Sequence, residues 1–546
     1  MNPISLVRGL LLAGLLAASP SLWAQVAPPP AGTGVSPGRD TLRTVEILPG
    51  AHKLEIRKPD DSTQLQILVG NVRLRQGHTL FYCDSCVINN RVNLFEAFGH
   101  VHINDSDTTD IYSDYLKYLT DKKIAYLSGN VKLTDGKGIL TTPELEYDVN
   151  TRIGIYTQGG KVVNRKSVLT SQEGYYYADL KDVYFKKNVR LKDPAYQLTA
   201  DSLLYNTATQ ISRFIADTYI EDSSHRTIRT RDGFYDMKRG KAEFGQNPVI
   251  QDGKTRITGN RIAIDDSTGI SQAEGNAVVI DTSQGTTIIA GQIFRNGKTD
   301  AVLALKKPLM IVRQDKDSIY ISADTLFSAR LTDLPSWADS LRADSAAGRS
   351  RGTLDPGDSS NRYFEAYRHV RIFSDSLQST SDSLFYSFRD STFRLFQRPV
   401  VWARGSQITG DTMYLYTRNR KPDRLRVYEN SFLVNQLAPE VFNQIKSTRM
   451  DGYFVDGDID SVRARGFAEC IYYIQNEDSA YTGVNKSQSD IMDIYFRQQE
   501  LFRVVLRSSV KGQVIPIRQV NPRDMRLKNF QWLEDRRPKT KFELYE

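Results

Sequence analysis

The chain has 546 residues, a formal net charge of +8 and three cysteines, too few for a disulfide-stapled scaffold. Beyond the N-terminus no stretch approaches the roughly 18 apolar residues that a membrane-spanning helix needs. The basic residues are spread along the chain without a long block, which disfavours nucleic-acid binding and suits anionic surfaces or phosphate-bearing lipids.

Residues 1–24 have the pattern of a secretory signal peptide. Arg8 precedes the short apolar run 9–18, Pro20 breaks it, and Ala24 provides a small residue for cleavage before Gln25. An uncleaved N-terminal helix is the alternative. Residues 25–50, which include three consecutive prolines at 28–30, are predicted to be a flexible linker.

A short phrase then returns about every 30 residues, in which a small or polar turn precedes alternating apolar residues. Its copies are Gly70–Leu74, Gly99–Ile103, Gly129–Leu133, Gly160–Val163, Lys187–Leu191, Gly275–Ile280, Arg368–Ile372 and Arg398–Val401. A second phrase follows roughly ten residues later, as Ser113–Leu116, Pro143–Tyr147, Thr199–Tyr205, Ser322–Phe327, Thr380–Tyr386 and Thr409–Tyr416.

The alternation within both phrases predicts strands with one apolar face, because successive side chains of a strand point to opposite sides. The glycines and asparagines at the turns suit positive φ angles. One unit cannot bury its apolar face alone, whereas stacked units can. We therefore predict an all-β, solenoid-like stack with a continuous apolar seam between its layers.

The pattern is interrupted at 331–362, a stretch rich in Ser, Asp, Ala, Gly and Arg. This interruption favours two consecutive arrays, 51–330 and 363–512, over one uniform rod. Residues 337–347 suggest a short helix inside the insertion. The segment 513–546 is basic and without a clear repeat, and it is predicted either to cap the array or to reach a partner.

Three groups of residues invite a chemical interpretation. His100 and His102 share a strand face, but asparagine fills the slot of His100 in several other copies, so we predict a polar turn rather than a metal site. The recurring Asp201, Asp324, Asp382 and Asp411 occur once per unit instead of converging, which favours a structural role.

The third group is Cys83 and Cys86, a C-x-x-C without the helical setting of a redox motif. Free thiols or a local disulfide are favoured over catalysis, and the sequence leaves the choice between them open. Cys470 has no neighbour in sequence and is predicted to be buried. We predict no enzyme, no metal and no cofactor.

The turn-strand G-N-V-x-L at 70–74 and 129–133, paired with A-D-x-L-x-Y at 200–205, resembles the OstA-like family. This family includes LptA-type periplasmic proteins of lipopolysaccharide transport and the N-terminal domain of LptD. The resemblance covers about 50–330 and extends more loosely over 363–512. It implies an elongated twisted β-jellyroll whose groove holds lipid A acyl chains, and end-to-end joining with other OstA-like envelope proteins by edge-strand addition.

On this resemblance we expect a non-enzymatic, lipopolysaccharide-binding protein of the periplasm, peripheral to the outer membrane. The alternative is a structural or adhesive β-solenoid that binds protein or glycan through its edges or outer face. The predicted lipid contacts are the inward alternates of the first phrase: Val72, Leu74, Val101, Ile103, Val131, Leu133, Val189, Leu191, Val278, Ile280, Val370 and Ile372.

Overall fold

The computed structural model describes residues 45–313, 318–334, 358, 360–403, 405–418, 421–455, 458–476, 480–497 and 500–545. The predicted signal peptide, most of the linker, and the centre of the 331–362 insertion with its suggested helix at 337–347 lie outside the described residues. Within the described part of the chain, no helix has the length and apolar character to cross a bilayer.

Nearly all the described elements are strands, which confirms the all-β prediction. The first fourteen are β1 (Glu46–Ile47), β2 (Lys53–Asp60), β3 (Thr63–Gln76), β4 (Thr79–Asn89), β5 (Leu94–Asp105), β6 (Thr109–Leu119), β7 (Ile124–Thr134), β8 (Ile139–Asp148), β9 (Ile153–Tyr156), β10 (Gly160–Asn164), β11 (Ser167–Ser171), β12 (Glu173–Tyr177), β13 (Asp182–Lys192) and β14 (Tyr196–Asn206). The next fourteen are β15 (Ile211–Phe214), β16 (Thr218–Asp222), β17 (Thr227–Thr230), β18 (Asp232–Asp236), β19 (Lys241–Gly245), β20 (Val249–Asp252), β21 (Thr255–Thr258), β22 (Arg261–Asp265), β23 (Ile270–Asp281), β24 (Thr286–Asn296), β25 (Ala301–Leu305), β26 (Leu309–Arg313), β27 (Ser318–Ser322) and β28 (Thr325–Ala329).

The last twelve strands are β29 (Tyr363–Phe373), β30 (Gln378–Ser387), β31 (Thr392–Phe396), β32 (Val400–Ala403), β33 (Ser406–Thr409), β34 (Thr412–Arg418), β35 (Lys421–Ala438), β36 (Val441–Val455), β37 (Asp458–Gln475), β38 (Tyr481–Arg497), β39 (Glu500–Arg507) and β40 (Lys511–Pro516). Short 3-10 helices occupy Asn90–Val92, Leu331–Asp333, Ile517–Gln519, Pro522–Asp524, Glu534–Arg536 and Lys541–Leu544.

The long strands bend at a corner, and this bend folds the chain into two layers. In β3, Val69 pairs with Ser85 and Val72 with Cys83, so two residues of β3 oppose one of β4 in a β-bulge. Where the corner is wider, the two halves are separate strands: β9 pairs with one half of β8 and β10 with the other. We call the layer that contains 65–69 and 94–98 sheet I, and the layer that contains 72–76 and 101–105 sheet II.

Left-handed residues form the corners. Asn71, His100, Asn130, Asn188, Asn276 and His369 all have φ between 44° and 54°. The residue before each of them also has positive φ, and in most copies it is glycine. A Cβ on Gly129 would lie 2.8 Å from Asp114 Oδ2, so the close approach of the strands also requires glycine there.

Strand pairing continues across the predicted interruption, so the segments predicted as two consecutive arrays share one ladder. Ala329 at the end of β28 pairs with Tyr363 at the start of β29, and β27 also pairs with β29. The insertion therefore takes the place of a hairpin loop in sheet I, and the strands on either side of it remain paired. One apolar core runs between the sheets from Leu68 to Phe496.

Residues 517–545, here called the C-terminal strap, fold back over the outer face of sheet II. Leu527 belongs to a second apolar cluster with Phe432, Val434 and Phe442, and Phe530 and Trp532 pack against it. The strap reaches β29, where Arg371 donates a hydrogen bond to the Glu543 carbonyl, and β27, where Lys541 Nζ lies 5.6 Å from the ring centre of Tyr320. The tail is predicted either to cap the array or to reach a partner, and the structure shows it packed along the array of the same chain.

Candidate functional site

The seam between the sheets is the candidate site, and ten of the twelve predicted inward residues face it. Their exposed fractions lie between 0 and 6%, because the period-2 alternation directs them away from solvent. These ten are Val72, Leu74, Val101, Ile103, Val131, Leu133, Val189, Leu191, Val370 and Ile372.

The prediction for Val278 and Ile280 is wrong about orientation. Both are only half-buried and point out of the seam, whereas Ala277 and Val279 are buried in it. The inward positions are the second and fourth after the corner glycine, here Gly275. In this copy alanine occupies the first of them, so the run of apolar residues after it shifted the predicted register by one.

Side chains of both sheets fill the seam. In the N-terminal part, the rings of Phe81, Phe95 and Tyr118 lie 4.8–5.2 Å apart, centroid to centroid, in edge-on and tilted contacts. The cavity beside Leu133 and Val183 measures about 10 Å³, and one beside Ile372 and Leu395 about 40 Å³. A water molecule occupies about 30 Å³ in the liquid, so these spaces do not hold an acyl chain as they stand.

Polar bridges close the edge of the seam opposite the corners, and we call them the latch. Tyr118 donates to Gln76 Oε1 at 2.6 Å, and Gln76 donates to the Thr120 carbonyl at 3.0 Å. Further along, Tyr147 donates to Asp105 Oδ2 at 2.7 Å and Arg152 Nε to the same oxygen at 3.2 Å. Equivalent bridges join Asn164 to Tyr205 and Thr207, Arg226 to Asp266, and Arg295 to Asp252.

The latch joins the free ends of sheet II strands to sheet I strands about 40 residues further on, so each bridge ties one repeat to the next. Burial raises the pKa of Tyr205 to about 12, so its hydroxyl keeps its proton over the physiological range. Sequence reasoning missed the latch. The available signal was the recurrence of tyrosine, not phenylalanine, at the end of the second phrase, since only tyrosine carries a hydrogen-bonding tip.

Histidines and asparagines at several corners pair with aspartates across strands. His100 Nδ1 lies 2.8 Å from Asp84, whereas His102 Nε2 lies 2.8 Å from Asp110, so the two histidines have different partners. The same corner contact is made by Asn130 with Asp114, His369 with Asp324, and Asn430 with Asp411. Within the described ranges, no group of three or more His, Cys, Asp or Glu residues is placed to hold a metal ion.

The three cysteines are free thiols buried in the core, as predicted for Cys470. Cys83 and Cys86 both face the seam, on either side of the β4 corner. A hydrogen bond between them lowers the pKa of Cys83 and raises that of Cys86. Burial raises the pKa of Cys470 to about 11.

Comparison with known proteins finds a family and a solved structure that match part of the chain. Residues 44–201, which run from the start of the stack into β14, match the family model described as OstA-like protein. No curated protein matches the chain. A solved structure matches with 10% identity and a TM-score of 0.19 over 26% of this chain and 81% of its own. It is LptH, described as the LptA homologous periplasmic component of the lipopolysaccharide transport device of Pseudomonas aeruginosa. Over residues 44–201, this chain is similar in sequence to the OstA-like family.

Proposed function

We propose that this chain takes part in lipopolysaccharide transport through the cell envelope and accommodates lipid A acyl chains between its two sheets. The observation that carries the proposal is the unbroken apolar seam, which extends over the whole array and not only over the family match. Transfer of an acyl chain from water into such a seam gains roughly 0.8 kcal/mol per methylene. In a continuous seam, an acyl chain that slides along the stack also finds equivalent positions in successive repeats.

Because the seam is filled, loading requires the sheets to part, and the latch edge is where they separate. Each hydrogen bond of the latch contributes roughly 0.5–1.5 kcal/mol net, far less than the backbone ladders that hold each sheet together. The corners at the opposite edge are covalently continuous. Parting the latch therefore opens the seam along its length while both sheets stay intact.

The ladder ends at β1 and β2 on one side and at β39 and β40 on the other, and β39 and β40 both pair with β38. Unpaired edge groups of this kind accept a further strand. We propose that other OstA-like envelope proteins add there, in the periplasm and at the outer membrane. The chain acts as a carrier and not as an enzyme.

The test is site-specific photocrosslinking to lipopolysaccharide. A diazirine amino acid of leucine size replaces Val131 or Leu191, both 1% exposed in the seam. In matched controls it replaces Lys132 or Arg190, the exposed neighbours on the opposite face of the same strands. We expect lipopolysaccharide crosslinks at the two inward positions and none at the two outward ones.

Crosslinks confined to Lys132 and Arg190 would contradict the proposal and favour a structural or adhesive solenoid that binds through its outer face. Normal surface delivery of lipopolysaccharide after depletion of the protein would contradict a transport role as well. Circular dichroism of the labelled proteins verifies that each one is folded before crosslinking.

A further inference from the structure

The outer face of sheet I near the C-terminal end of the array gathers arginine and tyrosine into one surface. Strands β34 to β39 align three neighbouring register rows there, and these rows contain seven arginines, five tyrosines and two aspartates. We call this surface the arginine-tyrosine face. Its charged and aromatic members are Tyr414, Tyr416, Arg424, Arg426, Tyr428, Arg449, Asp451, Tyr453, Arg463, Arg465, Asp493, Tyr495, Arg503 and Arg507.

Asp451 holds three of the arginines in place. Its Oδ1 accepts hydrogen bonds from Arg424 at 2.8 Å, Arg426 at 3.0 Å and Arg449 at 3.4 Å, and its side chain is 1% exposed. Burial alone would raise the pKa of Asp451, but the hydrogen bonds from Arg424 and Arg426 keep it below its ordinary value. One buried carboxylate therefore organises three guanidinium groups and compensates only one of their charges.

Asp493 repeats this arrangement on the next strands. Arg463 Nε donates to it at 2.6 Å and Arg507 Nε at 3.0 Å, while the aspartate side chain is 4% exposed. Tyrosine rings also contact three arginines of this face. The guanidinium carbons of Arg424, Arg449 and Arg503 each lie 5.5 Å from the ring centre of Tyr453, Tyr428 and Tyr495 respectively.

The resulting charge is unbalanced. Seven arginines against two aspartates leave a net +5 on this face, compared with +8 for the whole chain. Arg449, which contacts Asp451, and Arg465 are direct cross-strand partners, and a further anion beside this like-charge pair would reduce its repulsion. All the cations of the face are arginines, whose planar guanidinium group binds phosphate oxygens through two hydrogen bonds at once.

We propose that the arginine-tyrosine face docks this protein on a lipid surface that displays anionic phosphate head groups. Six strands span roughly 24 Å at about 4.8 Å per strand, so the face matches a partner that presents several phosphates side by side. A lipid leaflet does so, whereas a single small phosphate compound occupies one arginine pair. Tyrosine also favours the boundary between head groups and acyl chains. The inference does not depend on what the seam carries.

The experiment is flotation of the full-length mature chain with vesicles. We expect binding to vesicles of phosphatidylcholine with about a third phosphatidylglycerol, loss of binding at high salt, and little binding to phosphatidylcholine alone. The test variant combines Arg465→Gln and Arg503→Gln, two exposed arginines that keep the Asp451 and Asp493 contacts intact. At about 1 kcal/mol per cation, we expect roughly thirty-fold weaker binding.

The matched control combines Lys132→Gln and Arg190→Gln, which removes the same charge from the outer face of sheet II. We expect less than a twofold change for this control. Equal losses of vesicle binding in the two variants would overturn the proposal, because net charge alone would then explain binding. Full binding by the test variant would also overturn it. The proposed lipid surface would be ruled out as the partner if the wild-type protein failed to float with the vesicles. It would also be ruled out if a soluble phosphorylated saccharide at micromolar concentration abolished flotation. The seam crosslinks at Val131 and Leu191 are scored separately.

Discussion

The outer face of sheet II is open to solvent in the N-terminal region of the stack and buried in the C-terminal region. One register row of this face runs through Ile139, Val163, Val168 and Lys192 in the N-terminal region, and these side chains are half-buried or exposed. The equivalent row in the C-terminal region runs through Gln378, Trp402, Gln407, Val434 and Gln444, and each of these is at most 5% exposed.

The C-terminal strap makes the difference. Gln444 donates to the Met525 carbonyl and accepts from the Leu527 amide, both at 2.8 Å. Six residues further along the strap, Gln407 makes an equivalent pair of bonds. It donates to the Gln531 carbonyl at 2.8 Å and accepts from the Leu533 amide at 2.7 Å. Each glutamine amide thus substitutes for a neighbouring strand and fixes the strap in register.

One type of repeat therefore serves two mechanical roles in this protein. In the N-terminal region only the seam is buried, so parting the sheets there disrupts the seam contacts and the latch but no packing on the outer face of sheet II. In the C-terminal region both faces of sheet II are buried, as the unbroken burial of Val400–Ala403 on β32 shows. We infer that the C-terminal region is the rigid part of the stack and the N-terminal region the part that opens.

The largest expected effect comes from deletion of residues 517–546. This exposes the second apolar cluster, including Phe432 and Phe442, and removes the packing of Phe530 and Trp532. At roughly 1.5–3 kcal/mol for each large side chain, we expect a local loss on the order of 5 kcal/mol. Hydrogen exchange should accelerate in β32–β36 while β5–β8 keep their protection. Equal acceleration in both regions would contradict a local role of the strap.

A smaller effect is expected from Gln407→Ala, which leaves the Gln531 carbonyl and the Leu533 amide of the strap without their partner. We expect a destabilisation of about 1–3 kcal/mol, measured by hydrogen exchange of β33 and the strap. The matched control is Gln197→Ala, because Gln197 pairs with Lys192 on the same register row but is exposed. A cost for the control comparable to that of Gln407→Ala would show that the strap contacts are not what stabilises this face.

The sequence predicts the seam well because its signal is local. Period-2 alternation and a recurring turn determine which side chains face inward, so ten of the twelve predicted positions face the seam without any knowledge of pairing. The failure at Val278 and Ile280 arose where alanine, a weak apolar marker, occupied the first inward slot at Ala277. Counting from the corner instead of from the apolar run would have avoided it.

Features that depend on pairing could not be predicted in this way. Arg426, Arg449 and Arg463 are spread over almost forty residues, and only the register of β35, β36 and β37 brings them together around Asp451. For the same reason the charge looked evenly distributed along the chain. The glutamines that hold the strap are unremarkable in sequence, since their partners lie 81 to 126 residues away.

The smallest expected effect on stability, and the one that bears most directly on opening, is that of Tyr147→Phe in the latch. The substitution removes the hydrogen bond to Asp105 and leaves the buried ring, so we expect a cost of about 1 kcal/mol. If the sheets part at the latch edge, the backbone amides of β5–β8 should exchange hydrogen several-fold faster. Lipopolysaccharide crosslinking at Val131 should also reach its plateau sooner.

The control for this variant is Tyr126→Phe, which removes a hydroxyl from an exposed tyrosine on β7, outside the seam. It should change neither exchange nor crosslinking rate. Faster exchange in Tyr147→Phe without faster crosslinking would mean that the latch stabilises the fold but does not limit lipid entry. In that case entry would have to occur at the ends of the stack, where β2 or β40 forms the last rung, and substitutions there would alter the rate instead.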